Sequence, residues 1–210
     1  MSEGYYNIER KEMLEFIEGS PSKIFEAGCG TGNFGEVLKK KFNTEVTCVE
    51  LFENAANKAK KKVDKVICGN IEKEIDNIEN NYYDLIIFND VLEHLHDPWS
   101  LLKKTAGKLG SGGRVIASIP NIRYLQTMAE IVIKKDFKYT DAGILDKTHI
   151  RFFTKKSIIR MFEECGYKII KIQGINGIKS FKFMLLNIFS FGFLKESSYL
   201  QFAVVASVKK

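Results

Sequence analysis

Between Lys23 and Gly35 the chain reads K-I-F-E-A-G-C-G-T-G-N-F-G, with four glycines over eight residues behind a single acid, Glu26. Backbone without Cβ atoms can close on a bound molecule, which makes Gly28, Cys29 and Gly30 candidate binding positions beside Glu26. Gly30-x-Gly32-x-x-Gly35 satisfies the dinucleotide fingerprint, and Glu26-x-Gly28-x-Gly30-x-Gly32 fits a second kind of nucleoside-binding turn. Either requires an acid about 20 positions on to hold ribose hydroxyls, and Glu50 meets that requirement for both. A second group of chemically capable residues runs from Asn89 to Pro98 (N-D-V-L-E-H-L-H-D-P), and a third is His149 with Arg151. His96 and Asp97 resemble metal ligands by type, but directly before Pro98 they read as a helix cap, so no metal is expected.

The elements that must hold these groups alternate in type. Lys23–Cys29, Glu45–Leu51, Val66–Cys68, the apolar run Asp84–Asn89, Arg114–Ile119, Tyr167–Ile172 and Leu200–Val208 read as strands. Helical patterns fall between them: one after the glycine turn, Asn54–Val63, Pro98–Leu109, residues 122–134, and one that Thr154 caps and Gly166 stops. A further helix is expected over residues 8–18, and Gly110-Ser111-Gly112-Gly113 reads as a turn. Strands that alternate with helices specify an α/β fold: a doubly wound, Rossmann-like seven-stranded sheet, mostly parallel with an antiparallel last strand. The 210 residues form one domain, with a lid-like insertion at about 121–153 and an apolar insertion at about 176–198.

Composition narrows the class further. The chain is 45% hydrophobic and 28% charged, the balance of a globular protein, and its four cysteines contain no C-x-x-C pair. Buried free thiols in a reducing compartment are expected, and the N-terminus has no apolar h-region, so the reading is cytoplasmic. Net charge is +6, of which the window from Asn121 to Arg160 carries +5, nine basic residues against four acidic ones. That window is either a solvated surface or a basic face aimed at an anionic substrate or a membrane.

Taken together, the glycine turn, Glu50, Gly69-Asn70, the E-H-L-H-D-P segment and Gly112-Gly113-Arg114-Val115 resemble a class I S-adenosyl-L-methionine (SAM)-dependent methyltransferase over residues 1 to about 175. The similarity is greatest to the small-molecule branch that holds ubiquinone-pathway and polysaccharide-cluster enzymes; Asp146–Thr154 (D-K-T-H-I-R-F-F-T) is similar to a segment of the latter. A dehydrogenase has no reason to follow its fourth strand with E-H-x-x-D-P. The resemblance implies SAM as cofactor, with Gly28 and Gly30 against its methionine part and Glu26 organising the turn and the ammonium. It implies Glu50 on the ribose, adenine between Leu51 and Ile71 with Asn70 at its amino edge, and Asn89, Asp90 and Val91 along the methionine end. His94 either borders the sulfonium or packs beneath the turn. Tyr6 and Arg10, ahead of the sheet, are expected to cover the cofactor, an aromatic face toward the sulfonium and a cation toward the carboxylate.

The acceptor is read as a small molecule methylated on a hydroxyl oxygen, a sugar or a prenylated phenol, anionic or lipid-linked. A base that takes the hydroxyl proton contributes about 10²–10⁴-fold. His149, at the carboxyl edge where such sheets bind ligands, is the candidate catalytic residue; the alternative is a loop histidine that fixes the lid. Nucleic-base methylation is disfavoured, because enzymes of that kind end strand four in D/N-P-P-Y/F and this chain has Asn89-Asp90-Val91-Leu92. An RNA methyltransferase and a SAM-binding module without turnover are the alternative readings. The apolar insertion, with Phe181, Phe183, Met184, Phe189, Phe191 and Phe193, would pack as a lid, form a homodimer contact in a chain otherwise monomeric, or dock peripherally on a membrane.

Overall fold

The computed structural model describes residues 10–209; Tyr6 lies outside them. Seven strands form one sheet: β1 (Lys23–Ala27), β2 (Glu45–Glu50), β3 (Lys65–Cys68), β4 (Tyr83–Asn89), β5 (Leu109–Pro120), β6 (Tyr167–Gly177) and β7 (Tyr199–Val208). Their order is β3-β2-β1-β4-β5-β7-β6, and only β7 runs antiparallel, between β5 and β6. The sheet reverses direction of winding between β1 and β4, so the loops after those two strands open onto a shared crevice.

Alternation along the central strands builds a core on each face. Phe25, Ile86, Phe88 and Val115 pack on one side, and Ile24, Leu85, Ile87 and Ile116 on the other. Helices α1 (Asn33–Phe42), α2 (Glu53–Ala59), α3 (Ile71–Glu74) and α4 (Pro98–Ala106) follow β1 to β4 in turn. A short α5 (Leu125–Met128) continues as a π turn through Ile133, and α6 (Lys155–Glu164) leads into β6. Thr154 caps α6 reciprocally: its hydroxyl accepts from the Ser157 N–H at 3.3 Å, and the Thr154 N–H reaches Ser157 Oγ at 2.9 Å.

Four sequence expectations change. The first is the leading helix, which is a single 3-10 segment, Lys11–Phe16. Next, Gly110–Gly113 lie inside β5 rather than in a turn: a Cβ at Gly113 would come within 2.7 Å of the Tyr83 carbonyl oxygen, so β4 and β5 approach too closely there for any side chain. Third, Cys68 is exposed, whereas Cys29, Cys48 and Cys165 are buried. Lastly, the apolar insertion folds as α7 (Phe181–Phe189), none of whose residues is buried, and Phe191 just beyond it is 100% exposed. It is not a lid packed onto its own sheet. Four of the nine basic residues in the charged window also pair with acids: Arg123 and Lys155 with Glu196, Lys134 with Glu130, and Lys147 with Asp141.

Candidate active site

Beyond β1 the chain turns through three glycines with positive φ: Gly28 at 65°, Gly30 at 55° and Gly32 at 76°. A side chain at Gly28 would be strained and would also sit 2.7 Å from Val91 Cγ2, so the turn after β1 nests against the turn after β4. Two contacts fasten it. Gly28 N–H donates to the Val49 carbonyl at 2.8 Å, and Gly30 N–H to Glu50 Oε2 at 2.8 Å. The other oxygen, Glu50 Oε1, accepts from Phe52 N–H at 2.9 Å, and the carboxylate is 4% exposed. Each oxygen keeps a second acceptor site for a ligand hydroxyl.

Glu26 lies beneath the start of α1. Gly35 makes room for it, since a Cβ there would meet Val63 Cγ1 at 2.6 Å and Glu26 Oε2 at 3.3 Å. Its carboxyl takes a hydrogen bond from the Gly35 N–H and one from the Cys48 thiol at 3.8 Å. Burial dominates: with only 3% of the residue exposed, the carboxyl is pushed up to about 8. A pyrophosphate is favoured at a bare helix N-terminus. Here that place is held by a carboxyl group, which suits a ligand bearing an amine and opposes a dinucleotide.

A cavity of about 430 Å³ opens at this edge of the sheet. It brings together Arg10, Glu26, Gly28, Cys29, Gly30, Glu50, Leu51, Asn70, Ile71, Asn89, Asp90, Val91 and His94, every predicted cofactor position within the described residues. Leu51, 57% exposed, and the buried Ile71 form its apolar lips. Asn70 is partly committed, because its Oδ1 caps α3 by accepting from Glu72 N–H at 2.8 Å. Asn89 is the opposite case. Both ends of its side-chain amide are buried at the cavity without a partner among the described residues, a donor and an acceptor a ligand could meet.

Arg10 and Asp90 pair in the wall of the cavity, with Nη1 to Oδ2 at 2.8 Å. Arg10 Nη2 also donates to Ser118 Oγ. Asp90 further accepts from Ser118 Oγ at 3.1 Å and Gln201 Nε2 at 2.6 Å. Burial raises the Asp90 carboxyl, and the Arg10 cation opposes the shift. So the guanidinium expected on a ligand carboxylate is engaged by a carboxylate of the protein.

His94 borders the cavity and its Nδ1 lies 3.1 Å from the Thr148 carbonyl oxygen. Burial, and then His149, hold this imidazole below its ordinary value. His149 does not line the cavity. Its ring stands edge-on behind that of His94, centroids 4.6 Å apart, with Nδ1 2.9 Å from the Ile144 carbonyl oxygen. That contact ties the ring to its own segment, 144–151, behind a residue that does line the cavity. The same segment is held where Ile150 and Arg151 N–H both donate to the Glu93 carbonyl at 3.0 Å. Arg151 is occupied as well, on the His96 carbonyl and over the Trp99 ring. Asp97 caps α4 by accepting from Ser100 N–H at 3.0 Å, as its position before Pro98 requires.

Sequence reasoning passed over one buried group. Glu93 is 1% exposed, and among the described residues neither of its carboxyl oxygens has a hydrogen-bond partner. Burial, then the charge of Asp90, drives its carboxyl well above the usual range. The available signal was an acid inside the apolar run Val91–Leu95.

A sheet in this order, with an antiparallel β7 and an acid-bearing glycine turn, is the fold of class I SAM-dependent methyltransferases. The chain belongs to the methyltransferase-domain family, which matches residues 5–172, and family and fold together imply SAM as its cofactor. It is similar to the ubiquinone biosynthesis O-methyltransferase of Coxiella burnetii, at 26% identity over 73% of this chain and 66% of that one. It is also similar to the malonyl-[acyl-carrier protein] O-methyltransferase of Priestia megaterium, at 39% identity over 45% of this chain and 35% of that one. The chain therefore spans from about a third to about two thirds of the length of these curated relatives. Among solved structures, a SAM-dependent methyltransferase from Archaeoglobus fulgidus superposes with a TM-score of 0.68, at 17% identity, over 93% of this chain and 90% of that chain.

The cavity fits SAM on its own terms. Glu50 offers paired acceptors for a diol, Leu51 and Ile71 offer apolar lips for a planar base, and Glu26 with the unpartnered Asn89 amide suits an amino-acid end.

Proposed function

We propose that the chain methylates a hydroxyl oxygen of a small molecule, a sugar or a prenylated phenol-like compound, with the acceptor entering past His94. SAM, when bound, supplies a methyl group on a positively charged sulfur. What this chain contributes is alignment: Glu50 would hold the ribose, Leu51 and Ile71 the adenine, and Glu26 and Asn89 the amino-acid end. Fixing two reactants in line is worth about 7–11 kcal/mol, so a rigid turn nested against Val91 is the main catalytic device. The observation that carries the reading is the Glu26 carboxyl under α1, which selects an amine-bearing nucleoside. The O-methyltransferase names of two relatives favour oxygen as the acceptor atom. Incubation with labelled SAM and a panel of sugars, phenols and prenylated phenols tests it. Acceptor-dependent release of S-adenosylhomocysteine with the label on oxygen is expected. Label on nitrogen or carbon alone, or none transferred by protein that binds SAM, would overturn it.

The acceptor is proposed to be lipid-linked, reached by peripheral contact with a membrane. β6 runs parallel to β1–β5, so the segment after it emerges at the cofactor edge. There α7 carries Phe181, Ile188 and Phe189 exposed, with Lys182 among them. Among the described residues no helix is long and apolar enough to cross a membrane, which leaves α7 to lie in the interface plane. Co-sedimentation with anionic vesicles is expected for the full chain and lost on deleting residues 180–195. Recovery of the full chain in the supernatant would end this part of the reading.

A further inference from the structure

We propose that Gln201, which does not line the cavity, is a positioning residue for the cofactor: it keeps Asp90 ionised and, through Asp90, holds Arg10 in the cavity wall. An exposed residue of the edge strand β6, Asn176, orients Gln201 in turn. The effect on cofactor affinity rests on the SAM reading; the coupling of Gln201 to Asp90 does not.

The contacts run in one direction, because each group is limited in what it can donate or accept. Asp90 Oδ2 takes Arg10 Nη1 at 2.8 Å. The other oxygen, Oδ1, takes Gln201 Nε2 at 2.6 Å and Ser118 Oγ at 3.1 Å. A guanidinium only donates, so the Ser118 hydroxyl, which accepts from Arg10 Nη2, turns its own proton to Asp90. A carboxylate only accepts, so Gln201 points its amide nitrogen at Asp90 and its oxygen away. Asn176 Nδ2 meets that oxygen at 2.9 Å. Gln201 is 7% exposed and sits on β7 between Pro120 of β5 and Ile175 of β6. Its amide is locked from both sides, and reversing it would set an oxygen against the carboxylate.

Two observations separate this arrangement from ordinary packing. Arg10 and Asp90 line the cavity while Ser118, Gln201 and Asn176 do not, so three uncharged side chains back an ion pair from behind. Arg10, Asp90 and Asn176 also hold left-handed backbone, with φ of 47°, 53° and 53°. Residues with side chains adopt it seldom, and it persists where the surroundings over-determine it.

The charges around Asp90 show what Gln201 supplies. Burial acts most strongly against the Asp90 charge; Arg10, Ser118 and His149 favour it, Glu12 opposes it, and Glu93 and Asp90 disfavour each other's charge. A donor that bonds the ionised form lowers a carboxyl, so removing the Gln201 amide raises Asp90 further. Once Asp90 takes a proton, Arg10 loses its counterion, and the segment Lys11–Phe16 that follows it loses this tie to the cavity.

The test uses the full chain and two readouts. Carboxyl-carbon NMR follows the Asp90 midpoint without ligand. Calorimetry gives SAM affinity as the ratio of variant to parent at each pH, which cancels the contribution of Glu26. Gln201→Leu should raise the Asp90 midpoint by about one pH unit or more. Because the group acts when ionised, SAM should bind up to about tenfold more weakly at acid pH, and the deficit should close as pH rises. Gln201→Glu should do the reverse: the introduced carboxyl donates to Asp90 while it holds its proton and repels it afterwards, so the deficit opens as pH rises. A merely structural role would weaken SAM in the same sense in both variants. If Gln201→Leu does not fold, Asn176→Asp carries the comparison. It is exposed, tolerates left-handed backbone, and replaces the donor to Gln201 Oε1 by an acceptor, so Asp90 should shift as in Gln201→Leu, by less. An unchanged Asp90 midpoint in both Gln201→Leu and Asn176→Asp would overturn the proposal. So would SAM deficits of one pH trend in both Gln201 variants. A parent chain that binds no SAM, with the midpoint shift present, would remove the cofactor reading and leave the coupling of Gln201 to Asp90 standing.

Discussion

Glu50→Ala is expected to lower SAM affinity by one to two decades in a calorimetric titration while the protein remains folded. The side chain has two tasks, and the substitution removes both. It pins Gly30 N–H at 2.8 Å and Phe52 N–H at 2.9 Å, which shapes the turn that must lie against the ligand. Its remaining acceptor sites would take the ribose hydroxyls. A hydrogen bond to a charged group contributes about 1.5–3 kcal/mol, which at about 1.4 kcal/mol per decade gives the range stated. Glu50→Gln separates the tasks. One amide oxygen can still accept from Gly30 N–H, so the turn and the melting temperature should be largely kept, while the charge-assisted contacts to the diol are lost. An unchanged titration curve for Glu50→Ala refutes the ribose assignment, and equal losses in both variants would assign the carboxylate to the ligand alone.

Much of the site was legible because its signals are local. A strand, three left-handed glycines and a helix occupy adjacent positions, and a parallel sheet then fixes where the end of the next strand, Glu50, must lie. The cap at Asp97 and the stop at Gly166 are likewise decided within a few residues. What was not legible depends on neighbours distant in sequence. Gly110–Gly113 read as a turn because glycine usually marks one, yet here they continue a strand, and Gly113 is required by the approach of Tyr83 on the adjacent strand. His149 carried the right residue type at the right edge of the sheet, but it packs against the ring of His94, and of the two it is His94 that lines the cavity, which no local pattern records. Glu93 and His149 are far apart in the chain and meet only through the return of segment 144–151 onto the turn after β4. The phenylalanines of α7 could be counted from the sequence, whereas their exposure could not.

Glu26 makes the pH dependence of cofactor binding a second decisive measurement. Its carboxyl is pushed from 4.5 up to about 8, chiefly by burial, so in the free protein at neutral pH it holds its proton. An ammonium brought beside it favours the carboxylate, so binding SAM should release a proton below pH 8. The affinity should then rise by up to about tenfold per pH unit from pH 6 toward 7.5. Above that the ligand amine, with a value of about 7.7–8.0, loses its own charge and the gain ends. Glu26→Gln should abolish the rising limb and weaken SAM at pH 7.5 by about tenfold or more, the loss of one charged partner. Stability moves the other way. A folded-state value above the unfolded one means the contribution of Glu26 is complete below about 4.5 and is lost as pH rises through 8. Glutamine does not ionise and keeps an acceptor for the Cys48 thiol, so the variant should melt higher than the parent above pH 8. Titrations in buffers of different ionisation enthalpy count the released proton. A flat affinity between pH 6 and 7.5 in the parent, or a slope that survives in Glu26→Gln, would place the ammonium elsewhere and remove the argument that distinguishes this turn from a dinucleotide site.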